Sequence, residues 1–322
     1  MITVGGETTE IAENDVRHNS SSRRQVLRFL AVFASLLMAA EILLRGIRSF
    51  HLLVENILAS YHLSLAFVQF GVTVAINTLA LVCIIGLFVF IEWRQLRFEN
   101  FKERYRDGIL FNVVALIISM VVQALEFSLF RQLGLRPLVS AEALSSMLFL
   151  VPACYILFLG FLEYWLHRAL HHYEFLWRFH AVHHQIEHLN AARSYSHFGE
   201  KVIYILVITT PLILLVEAPQ TQIALVTTFY IISNHYMHSD SPSLSFPAPL
   251  RHIFADNVYH HYHHVRDARF FGKNYASFFS FYDRLFGTQH MPLHEEFPET
   301  GIDGYVPITT LGDYIQRPFR RS

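Results

Sequence analysis

The sequence has few cysteines and few charged residues. Only Cys83 and Cys154 are present among 322 residues, and both lie within apolar runs. Two cysteines are too few for a disulfide framework or a thiolate-rich metal centre, so any metal here must be held by nitrogen and oxygen atoms. Charged residues make up 16% of the chain, whereas a typical soluble domain has about 25%. The formal net charge of −1 gives no basis for binding nucleic acid.

The N-terminal 25 residues are polar and include four acidic residues. No apolar core precedes a small-residue cleavage site, so this segment does not resemble a cleaved signal peptide. We expect a flexible polar tail over residues 1–25.

Long apolar runs account for the low charge. A helix needs about 20 mostly apolar residues to cross a bilayer. Runs of about that length are Val26–Leu44, Val72–Ile91, Ile109–Phe130 and Met147–Leu166. The run Leu52–Gly71 is also apolar but contains Glu55, His62 and Gln69, and it predicts an interfacial helix or part of an additional span.

Two shorter apolar arms, Val202–Val216 and Thr221–Ser233, follow on either side of Pro219. Each arm is short for a full crossing of the bilayer. We expect a tilted or re-entrant hairpin that returns the chain to the side it left.

The basic residues predict the orientation of the spans. The loop Glu92–Asp107 has five lysine and arginine residues and is the most basic loop between spans, so it should be cytoplasmic. Two crossings later, the segment that follows Leu166 emerges on the same side. The hairpin should then bring the segment His235–His264 back to meet it.

Fifteen of the twenty histidines lie between His167 and His264, in an ordered pattern. The four groups are His167-x3-His171, His180-x2-His183-His184, His235-x2-His238 and His260-x2-His263-His264. Neutral imidazole is the commonest metal ligand, and spacings of three and four place side chains on one face of a helix. The pattern therefore predicts a metal site.

The number of histidines predicts more than one ion. Nine have ligand-compatible spacing: His167, His171, His180, His183, His184, His238, His260, His263 and His264. One ion cannot use nine imidazoles, whereas two ions with four or five each can. Such ligands suit iron, zinc, copper or nickel. Two redox-active metals beside a membrane indicate oxygen chemistry on a lipid, for which the spans would provide an apolar slot.

An alternative is a histidine-rich membrane protein that binds or transports metal without oxygen chemistry. Transport would need polar ligands within the spans, and the spans have few of them. The iron content of the purified protein distinguishes the two hypotheses.

Two stretches resemble the fatty acid hydroxylase / sterol desaturase family of membrane histidine-box proteins. One runs from Glu163 to His184, and the other comprises the segment His260–His264, Asn274-Tyr275 and the segment Tyr282–Thr288. The resemblance covers roughly residues 161–288. It departs from the family pattern at Asp256-Asn257, where Thr-Pro is frequent, and at Tyr282, where the family has Trp.

The resemblance implies a di-iron enzyme that uses dioxygen and external electrons to hydroxylate or desaturate a lipid. That lipid could be a sterol, a fatty acyl chain, a sphingoid base or an alkylglycerol. We expect two iron ions, a bilayer environment and an electron donor of the cytochrome b5 or ferredoxin type, because the sequence has no flavin-type GxGxxG fingerprint and no cytochrome domain.

We call the four histidine groups the histidine boxes. Residues near these boxes are further candidates for binding the metal or supporting its ligands. These are His197, His235, Glu200 and Asp256. His197 and Glu200 resemble a family histidine that is followed three residues later by Glu. Carboxylates near such boxes more often accept a hydrogen bond from a metal-bound imidazole than bind the metal themselves.

Together these features predict an all-α integral membrane protein with four or more transmembrane helices and a cytoplasmic histidine-rich helical cap. We expect N-terminal transmembrane helices over residues 26–140, a catalytic domain resembling fatty acid hydroxylases over 141–290, and a C-terminal surface segment over 291–322. The membrane would be a bacterial inner membrane or the endoplasmic reticulum.

Overall fold

The computed structural model describes residues 65–96, 101–140, 150–217, 220–292 and 297–320. The predicted tail over residues 1–25 and the predicted span Val26–Leu44 lie outside these residues, as does most of Leu52–Gly71. The described chain is mainly helical, as predicted, and the histidine boxes lie at the ends of its helices.

Three long helices form the first half of the described chain. Helix α1 (Leu65–Leu96) and helix α2 (Phe101–Leu133) contact each other, and the short strand β1 (Val139–Ser140) follows. Helix α3 (Leu150–His172) then leads to the boxes. A single residue, Tyr173, with an extended backbone, separates α3 from helix α4 (Glu174–His184).

The predicted hairpin is present, and its arms are longer than predicted. Helix α5 (Phe198–Tyr204), a π-helical turn (Ile205–Thr209) and helix α6 (Thr210–Leu215) follow one another without a break. Strand β2 (Val216–Glu217) pairs in parallel with β1. Helix α7 (Gln220–His238) returns to the boxes.

The remainder of the chain forms a cap of short elements on the ends of the long helices. They are helix α8 (Asn257–His263), helix α9 (Phe281–Leu285), helix α10 (Leu311–Gln316) and 3-10 turns at Pro242–Leu244, Leu250–His252, Ala268–Phe270 and Arg317–Phe319. The Asp256 side chain accepts a hydrogen bond from Tyr259 N and so caps the start of α8.

Four described helices are long and apolar enough to cross a membrane: Phe70–Arg94, Tyr105–Leu133, Leu150–His172 and Phe198–Leu215. The first three contain most of the spans predicted at Val72–Ile91, Ile109–Phe130 and Met147–Leu166. The fourth corrects the expectation that Val202–Val216 is short for a crossing, because its helix begins at Phe198. The cytoplasmic orientation stays a prediction.

The C-terminal residues pack against the spans. Tyr314 of α10 is fully buried, and its ring stacks on Phe111 of α2 with 4.7 Å between the ring centroids. The Tyr314 hydroxyl donates a hydrogen bond to Ser196 O over 2.8 Å. These contacts hold the end of the described chain against the segment that joins α4 to α5.

Candidate metal centre

Helices α3 and α4 present five histidines to a common interior. His167 and His171 are four residues apart on α3 and therefore share one of its faces. His180, His183 and His184 occupy the last turn of α4. Because Tyr173 breaks the helix between them, α4 turns back and its histidines meet those of α3: His167 Nε2 lies 3.0 Å from His180 Nε2.

The hairpin and the cap provide the remaining four. His238 ends α7, and its Nε2 lies 3.0 Å from Nε2 of His183. His260 and His263 lie on α8, which His264 terminates. Nε2 of His260 lies 3.1 Å from that of His238. The two ends of the hairpin therefore meet, as the sequence predicted.

The nine histidines form two groups. We define the five-histidine group as His167, His171, His180, His184 and His263, and the four-histidine group as His183, His238, His260 and His264. Within each group the candidate ligand atoms all lie within 4.8 Å of one another. The groups are adjacent, since the rings of His184 and His264 stack with centroids 4.3 Å apart.

The outer ring nitrogens of several histidines contact hydrogen-bond acceptors. In the five-histidine group, Nδ1 of His167 faces Tyr275 O at 2.6 Å, that of His263 faces Lys273 O at 2.8 Å, and that of His180 faces Glu200 Oε2 at 3.1 Å. These acceptors require a proton on Nδ1, which leaves Nε2 as an unprotonated lone pair that faces inward.

The four-histidine group has the same arrangement in half of its members. Nδ1 of His183 faces Tyr195 O at 3.0 Å, and that of His238 faces Asn234 O at 2.5 Å. By contrast, Nδ1 of His260 and that of His264 are buried and have no hydrogen-bond partner among the described residues.

This proton assignment shows that the groups fit cations. In the pairs His167–His180 and His183–His238, both Nδ1 atoms donate outward, yet the Nε2 atoms are 3.0 Å apart. Two imidazole lone pairs at that distance repel each other unless a positive charge lies between them. Each group contains one such pair, so each fits its own metal ion.

Burial keeps the imidazoles neutral and ready to bind a metal. It is the main reason why the pKa of His183 falls to about 3, well below its ordinary value. Burial, with repulsion between neighbouring rings, also lowers the pKa of His184, His260 and His264. Protons therefore compete weakly with a metal ion at neutral pH.

The four further candidates lie outside both groups. Glu200 accepts from His180, as expected of a carboxylate beside a metal-bound imidazole. His235 Nδ1 contacts Ala191 O and Ser194 Oγ, both at 2.8 Å.

The other two have structural partners. His197 caps α5 by accepting from Gly199 N. Asp256 pairs with Arg251 at 2.6 Å, and both side chains are buried.

Comparison with known families agrees with this geometry. The family model of fatty acid hydroxylases matches residues 152–288, which contain all nine histidines. Over these residues the chain is similar to the fatty acid hydroxylase family. No solved structure matches it significantly.

Several curated proteins are similar to part of this chain. The alkylglycerol monooxygenase of Danio rerio is 30% identical over 125 residues, which cover 39% of this chain and 27% of that protein. The ornithine lipid hydroxylase OlsE of Rhizobium tropici is 33% identical over 165 residues, or 49% and 47% of the two chains. The very-long-chain aldehyde decarbonylase GL1-6 of Oryza sativa subsp. indica is 28% identical over 150 residues, or 44% and 23%. The chain thus spans less than half the length of these relatives.

Asn274 lies within the residues that the family model matches, and the sequence did not predict its role. Its backbone is left-handed, with φ of 58°, a conformation that asparagine adopts more readily than most residues. The side chain donates to Tyr259 O and His290 O. Asn274 therefore fixes the turn whose flanking carbonyls, Lys273 O and Tyr275 O, receive the histidine protons.

Asp283 stabilises the same turn through hydrogen bonds from the backbone of the turn. It is fully buried and accepts hydrogen bonds from Tyr275 N, Ala276 N, Thr288 Oγ1 and the Tyr259 hydroxyl. Burial raises the pKa of this carboxyl from its ordinary value. Its proximity to the boxes was visible in the sequence, but its partners are mostly backbone groups that a sequence does not reveal.

Glu92, at the end of α1, connects the two sides of the centre. Its Oε1 accepts from Ala191 N at 2.9 Å and from Asp240 N at 3.2 Å. Ala191 follows the box on α4, and Asp240 follows His238 on α7. The buried carboxyl of Glu92 thus joins the loop that follows α4 to the loop that follows α7, and each of these helices ends in histidines of the centre.

A cavity of about 220 Å³ opens onto both groups. His167, His180, His183, His238 and His260 form one wall. The apolar side chains of the remaining lining are Leu166, Leu170, Phe229, Tyr230, Met237 and Phe278. Its polar side chains are Glu163, Ser194, Ser196, Glu200, Lys201, Tyr204, Ser233, Asn234 and Ser277. The candidate metal centre is therefore accessible from a partly open cavity between the helices.

Proposed function

We propose that this protein is a membrane di-iron enzyme that uses dioxygen and external electrons to hydroxylate or desaturate a lipid. The observation that carries the proposal is the pair of histidine groups, each with inward-facing Nε2 lone pairs that a cation must separate. The five-histidine group would hold one iron and the four-histidine group the other. Iron at such a site supplies the redox chemistry by which dioxygen oxidises a C–H bond.

The choice of a lipid rests on the surroundings of the centre and on the relatives. Four apolar helices carry or flank the histidine groups, so a bilayer molecule could reach the centre without entering water. The relatives are named for alkylglycerols, ornithine lipids and very-long-chain aldehydes. These three compound classes share a long apolar chain, which fits a site at the end of a helical bundle.

The residues of the chain would orient the ligands and exclude water. The carbonyls of Tyr195, Asn234, Lys273 and Tyr275 would hold the Nδ1 protons of four histidines, so that the Nε2 atoms of these four face inward. Glu200 holds the proton of His180 and adds a negative charge beside the five-histidine group. The apolar wall of the cavity would guide the lipid and keep water away from the reacting carbon.

Electrons would arrive from a separate protein on the cytoplasmic side. The basic segment between α1 and α2 predicts that the cap faces the cytoplasm. A donor of the cytochrome b5 or ferredoxin type could then approach the cap without crossing the membrane.

Metal analysis of the full chain, purified in detergent, tests the proposal. We expect about two iron ions per chain and, after addition of a reductant and dioxygen, membrane lipids that have gained a hydroxyl or a double bond. The matched control is His172→Gln, which changes an exposed histidine next to His171 and should leave both results unchanged. Stoichiometric zinc without iron, or loaded protein that alters no lipid, would contradict the proposal.

A further inference from the structure

Helix α10 and the turn that follows it have an exposed apolar side. Leu311 and Ile315 of α10 are 40% and 41% exposed, and Phe319 in the turn is 70% exposed. Leu311 and Ile315 are four residues apart and therefore lie on one side of the helix. Tyr314 and Pro318, next to them in the sequence, are buried. We call Leu311, Ile315 and Phe319 the apolar ridge.

The charged side chains of this segment lie away from the apolar ridge. Asp313 is two residues from both Leu311 and Ile315, which is about half a helical turn. Arg320 pairs with Asp313 over 2.8 Å, so its guanidinium lies on the same side as Asp313. The segment is therefore amphipathic, and both its apolar and its charged side reach the outside of the protein. Amphipathic segments of this kind bind where a bilayer meets water.

The position of α10 beside α2 gives the level of the apolar ridge. Tyr314 of α10 stacks on Phe111 of α2. Phe111 lies two residues after Ile109, where the apolar run of α2 begins, and this is about 3 Å along the helix axis. Helix α10 therefore packs against the level at which this span passes from headgroups into hydrocarbon. An interfacial helix buries its apolar side about 5–10 Å into that boundary.

Exposed apolar residues flank the apolar ridge on two sides. Leu110, next to Phe111, is exposed on a helix that is long and apolar enough to cross a membrane. On the side of α4, the ring of Phe319 contacts Phe179 with 5.8 Å between the centroids, and Phe179 contacts the exposed Phe175. Apolar surface that adjoins a membrane-spanning helix in this way favours lipid over a water-soluble partner.

We propose that α10 and the turn Arg317–Phe319 form an interfacial anchor, whose apolar ridge enters the bilayer while Asp313 and Arg320 stay in water. The partner is the lipid surface itself, at the boundary of headgroups and acyl chains. Through the hydrogen bond from Tyr314 to Ser196 O, the anchor holds the segment that joins α4 to α5 at this level. The inference does not depend on the oxygen chemistry proposed above.

Spin-label accessibility in the full chain tests the inference. After Cys83 and Cys154 are replaced by alanine, a nitroxide is attached to Leu311→Cys, Ile315→Cys or Arg320→Cys in nanodiscs of phosphatidylcholine and phosphatidylglycerol. Power saturation measures collisions with oxygen, which concentrates in lipid, and with a nickel chelate, which stays in water. We expect the oxygen-to-nickel ratio at the two ridge positions to exceed that of Arg320→Cys by about three- to tenfold.

A reference within the span sets the scale. Val121→Cys, at an exposed position near the middle of α2, gives the ratio expected in hydrocarbon, and the ridge positions should lie between it and Arg320→Cys. Equal ratios for Ile315→Cys and Arg320→Cys would overturn the anchor. A label on Ile315→Cys that neither reagent reaches would also overturn it, because a protein contact such as a second copy of the chain would then cover the ridge.

Hydrogen–deuterium exchange on unlabelled protein in the same nanodiscs gives a second measurement. Ile315→Asp places a charge on the apolar ridge and should speed exchange of the amides in residues 311–320 by about fivefold or more. The matched control is Gln316→Asp, which adds the same charge at an exposed position whose side chain contacts Arg320 and not the ridge. Equal exchange in the two variants would contradict the anchor.

Discussion

The two histidine groups differ in how the protein orients their imidazole rings. In the five-histidine group, three outer nitrogens have acceptors, and one of these is the carboxylate of Glu200. In the four-histidine group, two outer nitrogens face carbonyls, whereas those of His260 and His264 have no partner among the described residues. The first group therefore has more histidines, more of them anchored by a hydrogen bond, and an anionic neighbour.

This difference predicts that the two proposed metal positions are unequal. Outer hydrogen bonds orient imidazoles and raise their basicity, so the anchored group should bind its ion more tightly. The four-histidine group depends on packing to orient half of its ligands. We expect it to lose its ion first.

The largest effect should come from removal of one ligand in each group. His238→Ala reduces the four-histidine group to three ligands and should cost about one iron per chain and all turnover. His171→Ala leaves four ligands in the other group and should retain more metal. Mössbauer spectroscopy on protein loaded with iron-57 measures the occupancy of each position. Equal losses in the two variants would show that the groups are equivalent.

A smaller effect should follow removal of the charge beside the five-histidine group. Glu200→Gln should weaken iron binding there by about 10- to 100-fold and leave the four-histidine group unchanged, as measured by competition with a chelator. The control is Glu187→Gln, whose carboxyl pairs with Arg266 at the surface. Weaker binding in the four-histidine group alone would contradict the role assigned to Glu200.

The smallest effect concerns pH and the metal-free protein. The pKa of His183 is about 3 when folded and about 6.5 when unfolded, so the unfolded chain binds more protons between these values. Stability is therefore complete above pH 6.5 and is lost as the pH falls toward 3. At pH 5 the loss from His183 alone is about 2 kcal/mol.

Thermal unfolding of the metal-free protein at pH 7 and pH 5 measures this loss. His183→Gln should show a smaller drop in the unfolding midpoint than the wild type, since glutamine does not titrate. The same drop in both proteins would mean that His183 is not held neutral by burial.

Local periodicity explains what the sequence could predict of this centre. Spacings of three and four along a helix place histidines together whatever the tertiary structure is, so all nine members of the two groups were identifiable. Their division into five and four was not, because it depends on how α4 and α8 pack. His183 and His184 are adjacent in the sequence but belong to different groups.

The supporting residues show the limit of that reasoning. Four of the acceptors that orient the imidazoles are backbone carbonyls. Every residue has a backbone carbonyl, so no side-chain type in the sequence marks these four. The length of the helix Phe198–Leu215 was underestimated because Glu200 and Lys201 interrupt its apolar run. Both residues line the cavity together with other polar side chains.

The buried Tyr314 has a consequence for biogenesis. Its hydroxyl bonds Ser196 O, and its ring contacts Phe111 and Tyr195, so the packing beside the centre is completed by a residue that is synthesised 118 positions after Ser196. His263, Lys273 and Tyr275 also emerge only after the hairpin is synthesised. Both histidine groups include residues of α8, so neither group is complete until α8 has been synthesised.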